Sequence, residues 1–325
     1  MKKLTRLLIF IIILTSFFAT YSSQARILSP EESRLFLKRI IQNSTAQSYW
    51  GIWKLTDYTN DNYNNESQNI FYEVVYIPGF GFGWVNLDNP HYYIIGDGTY
   101  RFVYDEKKQM ITAVYPGFDL PFLPLGEDNI DLLVSNYLVN VEEDLVLIIS
   151  RERNQVVKSF HLDQGQALVS QTYYSQDGQV EKQGEYVYRI DQPDNERIWK
   201  IFQIMQQVTK KKNNFPEVIF NRKQMLIPHL LPPGYALRRS YLVEGDQGKM
   251  YQMVFSDGIN FFSLFQTLLP PQPKFTNRVR RIVIKKDGDL NTLIGEKMGR
   301  QIFLVGNLSH KVLSEIFESI TNEGG

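Results

Sequence analysis

The chain has 325 residues, with 35 Lys or Arg against 35 Asp or Glu, so its formal net charge is zero, and it contains no cysteine. The missing cysteine excludes a disulfide framework, a thiol nucleophile, a Cys-ligated metal and a lipid-modified N-terminal Cys. Charge balance argues against a general nucleic-acid binder, and 43% hydrophobic residues argue against global disorder. The length is that of about two domains.

Residues 1–25 have the order of a secretory signal peptide. Lys2, Lys3 and Arg6 precede an apolar run from Leu7 to Leu14, and Ser23-Gln24-Ala25 places small residues at a cleavage site after Ala25. The alternative, an uncleaved membrane anchor, needs about 20 apolar residues, and this run is shorter. Cleavage takes the 35 basic residues to 32 against 35 acidic ones, so the mature chain carries −3. Export without cysteine points to a protein of the bacterial envelope: periplasmic, or secreted or at the surface of a cell with a single membrane.

Ser29-Pro30-Glu31-Glu32 opens a helix with a capping box. Leu35, Phe36, Ile40 and Ile41 form its apolar stripe, and it ends near Asn43. Short aromatic and β-branched runs then predict strands at 49–58, 70–77, 80–87, 92–95, 100–104 and 110–115, punctuated by Pro78-Gly79, Asp88-Asn89-Pro90 and Gly96-Asp97-Gly98. Pro116-Gly117, Pro121 and Pro124 predict a loop, and 127–136 a short helix. Strands resume at 137–141, 145–151, 156–162, 167–175 and 179–190, the last pair joined at Asp177-Gly178. Strands at this spacing indicate an antiparallel sandwich or barrel.

Asp191 to Glu196 reads as a linker. Residues 198–208 form a helix with Ile198, Phe202 and Met205 on one face, followed by the polar run Lys210 to Asn214. A small α+β unit follows, with strands at 235–243, 249–255, 259–266, 280–284 and 301–305. A Pro-rich loop spans 269–273, and Ser309 caps a final helix that buries Val312, Leu313, Ile316 and Phe317. The expected organisation is a signal peptide at 1–25, a large antiparallel unit at 26–192, a linker with helix at 193–227 and a small α+β unit at 228–321.

The chemistry-bearing residues are sparse. His91, His161, His229 and His310 are too scattered for a local metal pair, and no nucleophile elbow, Walker loop or His-Glu-x-x-His is present. Neither a metal nor a cofactor is expected, and an enzyme would need a buried acid or base that no motif announces. Glu142-Glu143-Asp144 reads as a solvated turn. Arg278, Arg280, Arg281, Lys285 and Lys286 read as a charged edge strand that blocks aggregation, or as a patch for an acidic partner segment or an anionic lipid headgroup. Pro78 to Trp84 lacks the dinucleotide glycine spacing. It is a bulged strand or the lip of an apolar cavity, with Phe80, Phe82 and Trp84 on one face. Together with Trp53, these three are the candidate lipid-cavity residues. With 21 Phe, 19 Tyr and 4 Trp, the aromatic load suits either a filled core or a lipid-sized cavity.

Several segments carry a resemblance. Lys158 to Ser170 with Tyr174 to Glu181, Leu231-Pro232-Pro233-Gly234-Tyr235, Phe255-Ser256-Asp257-Gly258-Ile259-Asn260-Phe261-Phe262-Ser263-Leu264-Phe265, and Val305-Gly306-Asn307-Leu308-Ser309 resemble stretches of the RseB/MucB type of sigma-E regulatory protein, in the same order and spacing. The layout extends over most of residues 30–320, and the Ser-Asp-Gly hairpin is its most specific part. Phe160 and His161 depart from it, standing where that family favours Leu and Trp.

The resemblance implies a first unit that is a half-open β-barrel packed on helices, similar to the lipoprotein carrier LolA. The second unit would bind the extracytoplasmic segment of an anti-sigma factor and shield it from proteolysis, and a lipid or lipopolysaccharide-like amphiphile in the first unit would loosen that grip. Phe255, Asp257, Gly258, Phe261 and Phe262 are the expected partner-binding residues. The rival expectation is a lipid or lipoprotein carrier that works through the first unit's cavity alone.

Overall fold

In a computed structural model, the structure describes residues 25–58, 67–96, 100–116, 129–175, 177–211, 225–245, 248–267, 283–287 and 290–321. The signal peptide up to Gln24, most of the Gly96-Asp97-Gly98 turn, the loop with Pro121 and Pro124, the polar run after Lys211, the Pro-rich loop and Arg278, Arg280 and Arg281 lie outside these residues.

The first helix, α1 (Pro30–Ser44), starts as its sequence dictates. Ser29 Oγ accepts from the Glu32 amide at 3.3 Å, and Glu32 Oε2 accepts from the Ser29 amide at 2.9 Å. Its buried stripe is Ser33, Leu37, Ile40, Ile41 and Ser44. Leu35, assigned to that stripe from sequence, is 57% exposed. The i, i+3, i+4, i+7 series runs through Leu37 instead, which turns Leu35 toward water.

Two runs of strands build one large sheet. The meander β2 (Tyr49–Asp57), β3 (Gln68–Ile77), β4 (Gly81–Asn86), β5 (Tyr92–Gly96), β6 (Tyr100–Asp105) and β7 (Met110–Pro116) spreads in one direction. The chain then crosses to the other side through α2 (Ile130–Asn136). It returns as β8 (Tyr137–Glu142), β9 (Leu145–Ser150), β10 (Val156–Leu162), β11 (Leu168–Tyr174) and β12 (Val180–Asp191), which pairs with β2. With β1 (Arg26–Ile27) on β8, the order is β1-β8-β9-β10-β11-β12-β2-β3-β4-β5-β6-β7, antiparallel throughout. The edge strands β1 and β7 do not pair, so the sheet is a half-open barrel and not a closed one. Its hairpins follow their turn residues: Glu143 takes φ 54° between β8 and β9, and Ser175 donates its amide to Gln179 O at 2.8 Å around Asp177-Gly178.

Each face of this sheet buries its own core. One face packs α1 and α2 over Trp53, Leu55, Val74, Trp84, Val139 and Phe160. The alternate residues Val75, Val85, Tyr93, Ile95, Phe102 and Tyr104 pack against α3 (Asn195–Lys211) through Ile201, Ile204, Met205 and Val208. The helix assigned to the connecting segment is thus a layer of the large sheet. Tyr104 Oη donates to Gln207 Oε1 at 2.7 Å across that contact.

The second sheet is smaller. Ordered β14-β15-β16-β19-β18-β17, it contains β14 (Ala236–Gly245), β15 (Gly248–Ser256), β16 (Phe261–Thr267), β17 (Val283–Asp287), β18 (Leu290–Lys297) and β19 (Arg300–Gly306). The helix α4 (His310–Ser319), capped by Ser309, covers it with Leu313, Ile316 and Phe317. The two-residue strands β13 (Ile227–Pro228) and β20 (Ile320–Thr321) pair beside the helix. Sequence patterning misses β18 because Asn291, Gly295 and Glu296 dilute its apolar alternation; Gly295 lies directly under the Phe317 ring. Lys285 and Lys286 lie on the edge strand β17. No described helix is long and apolar enough to cross a membrane.

Candidate functional site

The face of the large sheet that carries α1 and α2 is not wholly covered. Beside its packed core lies a cavity of about 1010 Å³, roofed by the small sheet's loops. That volume is at the upper end of small-molecule pockets, about 300–1,000 Å³. Strand register makes its floor: Trp84 pairs with Ile94, Ile94 with Val103, and Leu55 with Ile70, so their side chains emerge on one face in adjacent rows. Ile70, Ile94 and Val103 stay only half-buried, as befits the floor of an open space.

The rim is polar and charged. Arg101, Arg151, Arg153, Glu152, Glu181 and Lys182 surround the opening. Arg101 places its guanidinium carbon 5.6 Å from the centroid of the Phe261 ring on the small sheet. The roof comprises Pro232 to Tyr235, the loop from Asp257 to Phe261, and Asn307 to Val312.

The Asp257–Phe261 loop, between β15 and β16, is the centre of the seam. Asp257 Oδ1 accepts from the amides of Ile259 (2.8 Å) and Asn260 (2.7 Å), which fixes the turn internally. Its Oδ2 accepts from Tyr137 Oη of the large sheet at 2.7 Å, and both residues are buried. Asn136 Nδ2 donates to Asp257 O at 2.8 Å and to Gly234 O at 3.1 Å. Asn307 braces the loop from behind, accepting from the Phe261 amide at 2.9 Å and donating to Asn260 Oδ1 at 3.0 Å. Burial, reinforced by the Asp257 carboxylate, pushes the Tyr137 phenol far above its ordinary pKa, and burial does the same to Tyr235. The Tyr137 phenol is therefore a fixed neutral donor to Asp257.

The expected site residues fall in three places. Phe255 and Phe262 stack at 4.8 Å with planes 9° apart, inside the small sheet's core. Asp257, Gly258 and Phe261 are at the seam, where Asp257 and Phe261 also line the cavity. Of the four aromatics expected around a lipid, Trp84 lines the cavity and the other three do not. Trp53 is fully buried against Gly184. Phe82 packs on Tyr76 at 4.7 Å. Phe80 does not share a face with Phe82 and Trp84: it meets Phe202 of α3 edge-on at 5.0 Å, because positive φ at Gly79 and Gly81 breaks the strand alternation there. Sequence reasoning missed Leu55, Ile70, Ile94, Val103, Arg101 and Tyr137. Among the described residues, no three His, Asp or Glu side chains gather as metal ligands.

No family model and no curated protein sequence matches the chain. Solved structures do. The MucA/MucB complex of Pseudomonas aeruginosa aligns with a TM-score of 0.56 and 14% identity, covering 90% of this chain and 99% of that one. MucB in complex with MucA(peri) aligns at 0.53 and 13%, covering 90% and 100%. A LolA superfamily protein from Nitrosomonas europaea overlaps 51% of this chain and 96% of its own at 0.28 and 10% identity, too loosely to carry an argument. The chain has the fold of MucB across both sheets, in keeping with the RseB/MucB-type motifs in its sequence.

Proposed function

We propose that this protein is an exported, non-enzymatic regulator that binds the extracytoplasmic segment of an anti-sigma factor and shields it from proteolysis. The observation that carries this reading is the alignment with MucB bound to MucA over 90% of the chain, which takes in both sheets and the seam between them. On this reading residues 26–192, with the helix at 195–211 packed on their sheet, and residues 228–321 are its two functional units. The signal peptide directs it to the periplasm, or outside a single-membrane cell. Asp257 and Phe261, which face the cavity, are the members of the Ser-Asp-Gly hairpin placed to meet a partner, with Phe255, Gly258 and Phe262 shaping the loop behind them. A lipid or other amphiphile on the floor of Trp84, Ile94 and Val103 would modulate that grip.

The test is a pull-down from envelope extracts with the tagged mature chain, paired with a deletion strain. Recovery of an anti-sigma factor, and a changed envelope-stress response on deletion, are expected. Recovery of none, with an unchanged response, would sink the proposal. The apolar floor also favours a second reading, a lipid or lipoprotein carrier. Native mass spectrometry showing a bound acyl chain, with residues 228–321 dispensable for binding it, would favour that reading instead.

A further inference from the structure

The loop from Asp257 to Phe261 belongs to two structures at once. One side is the joint between the sheets. Tyr137 Oη donates to Asp257 Oδ2, and Asn136 reaches the Asp257 carbonyl. Ile259, 4% exposed, is buried in the large sheet's core although it belongs to the small sheet's loop. Gly258, at φ +107°, lies so close to α2 that a Cβ there would stand 2.7 Å from Leu133 N and 2.9 Å from Leu133 Cα. The other side is the cavity, since Asp257, Ile259, Asn260 and Phe261 all line it. A ligand filling the cavity therefore touches the segment that sets where the small sheet sits.

We propose that this loop is a latch that couples occupancy of the cavity to the relative placement of the two sheets. The joint suits such a role. Its polar contacts centre on one buried bond, Tyr137 to Asp257, with the adjacent Asn136 donating to the Asp257 and Gly234 carbonyls, so they are satisfied in one arrangement and lost together in another. Reciprocity then follows: a ligand that uses walls from both sheets holds the latch closed, and an opened latch weakens that ligand. This inference does not depend on the identity of any protein partner, so its failure leaves the regulatory reading intact.

The absence of cysteine makes the test clean. Val169 on β11 and Glu315 on α4, both exposed, are replaced by Cys and spin-labelled, and the distance distribution between them is measured in the full mature chain. Three backgrounds are compared with wild type: Tyr137→Phe, Gly258→Ala, and Tyr104→Phe, which removes a hydroxyl contact on the far face. Tyr137→Phe leaves a buried carboxylate oxygen without its hydroxyl donor and should raise the open population about tenfold, read as a broader, displaced distribution. Gly258→Ala should displace it through the clash with Leu133. Tyr104→Phe should leave it unchanged.

The fluorescent apolar anion 1-anilinonaphthalene-8-sulfonate is then titrated as the cavity probe. Its affinity should fall several-fold in Tyr137→Phe and stay at the wild-type value in Tyr104→Phe. A wild-type distribution in folded Tyr137→Phe overturns the latch. A displaced distribution with unchanged probe affinity overturns the coupling. Should Gly258→Ala fail to fold, Tyr137→Phe alone decides.

Discussion

Gly184 on β12 lies against the face of the Trp53 indole on β2: a Cβ added there would stand 2.3 Å from Cζ2 and 2.7 Å from Cε2. Trp53 is fully buried and meets Tyr186 edge-on at 4.8 Å, so the ring has no room to retreat. Gly184→Ala is therefore expected to destabilise the protein by about 1–3 kcal/mol through overpacking. Chemical denaturation of the purified variant checks this, and an unchanged midpoint would contradict the packing described.

A polar clamp in the small sheet gives a second expectation. Gln266 is fully buried; its Oε1 accepts from the Leu226 amide at 2.8 Å, and its Nε2 donates to the Leu226 carbonyl at 3.0 Å. Gln266→Leu leaves both backbone groups without those partners in a low-dielectric site. A loss of about 2–4 kcal/mol is expected, visible as earlier unfolding and faster amide exchange around Leu226.

Alkaline pH offers a third. Burial raises the phenols of Tyr49, Tyr137, Tyr186 and Tyr235 well above the ordinary 10.0. In the unfolded chain they ionise near 10, while in the folded chain they stay neutral. Their contribution to stability is thus complete below about pH 10 and drains away as pH rises beyond it. Denaturant midpoints should be flat from about pH 8 to 9.5 and fall steeply above pH 10, and ultraviolet titration of the native protein should show these phenols resisting ionisation.

The two faces of the large sheet make opposite responses to the same change. Ile94 borders the open cavity, whereas Val85 is buried under α3. Ile94→Asp should leave the fold intact and lower the fluorescence gain of 1-anilinonaphthalene-8-sulfonate, because its carboxylate stays hydrated. Val85→Asp places a carboxylate in a closed apolar layer and should unfold the protein or sharply lower its melting temperature.

The residues legible in sequence are those whose causes are local. Ser29 and Glu32 mark the first helix because a capping box needs only four residues. Asp177-Gly178 and Glu143-Asp144 mark their hairpins because turn chemistry is equally short-range. The cavity floor has no such signature. It arises where Trp84, Ile94 and Val103, on three different strands, come into register, and nothing near Ile94 in sequence distinguishes it from Ile95, which faces the opposite core. Size alone does not separate core from cavity: Trp53 and Phe82 complete a close-packed core, whereas Trp84, Tyr72 and Tyr173 line the open space. Phe80 was misassigned because two glycines in left-handed backbone interrupt the period of two. The motif Ser256-Asp257-Gly258 is legible as a turn, but its contacts with Asn136 and Leu133 of α2 join residues more than a hundred positions apart.

The crossover through α2 has a consequence for the order of assembly. The large sheet is completed only when β12 finds β2, with Lys182 opposite Asp57, a pairing of high sequence separation that forms late in a folding chain. The helix α2 sits at the junction of the two strand runs, and it is also the seat that receives Gly258. The small sheet, whose strands are mostly joined to near neighbours, can form early, but its berth is finished last. When the whole chain refolds from denaturant, a small sheet that forms ahead of the β2–β12 closure leaves Ile259 exposed to water until the large sheet and α2 complete its berth.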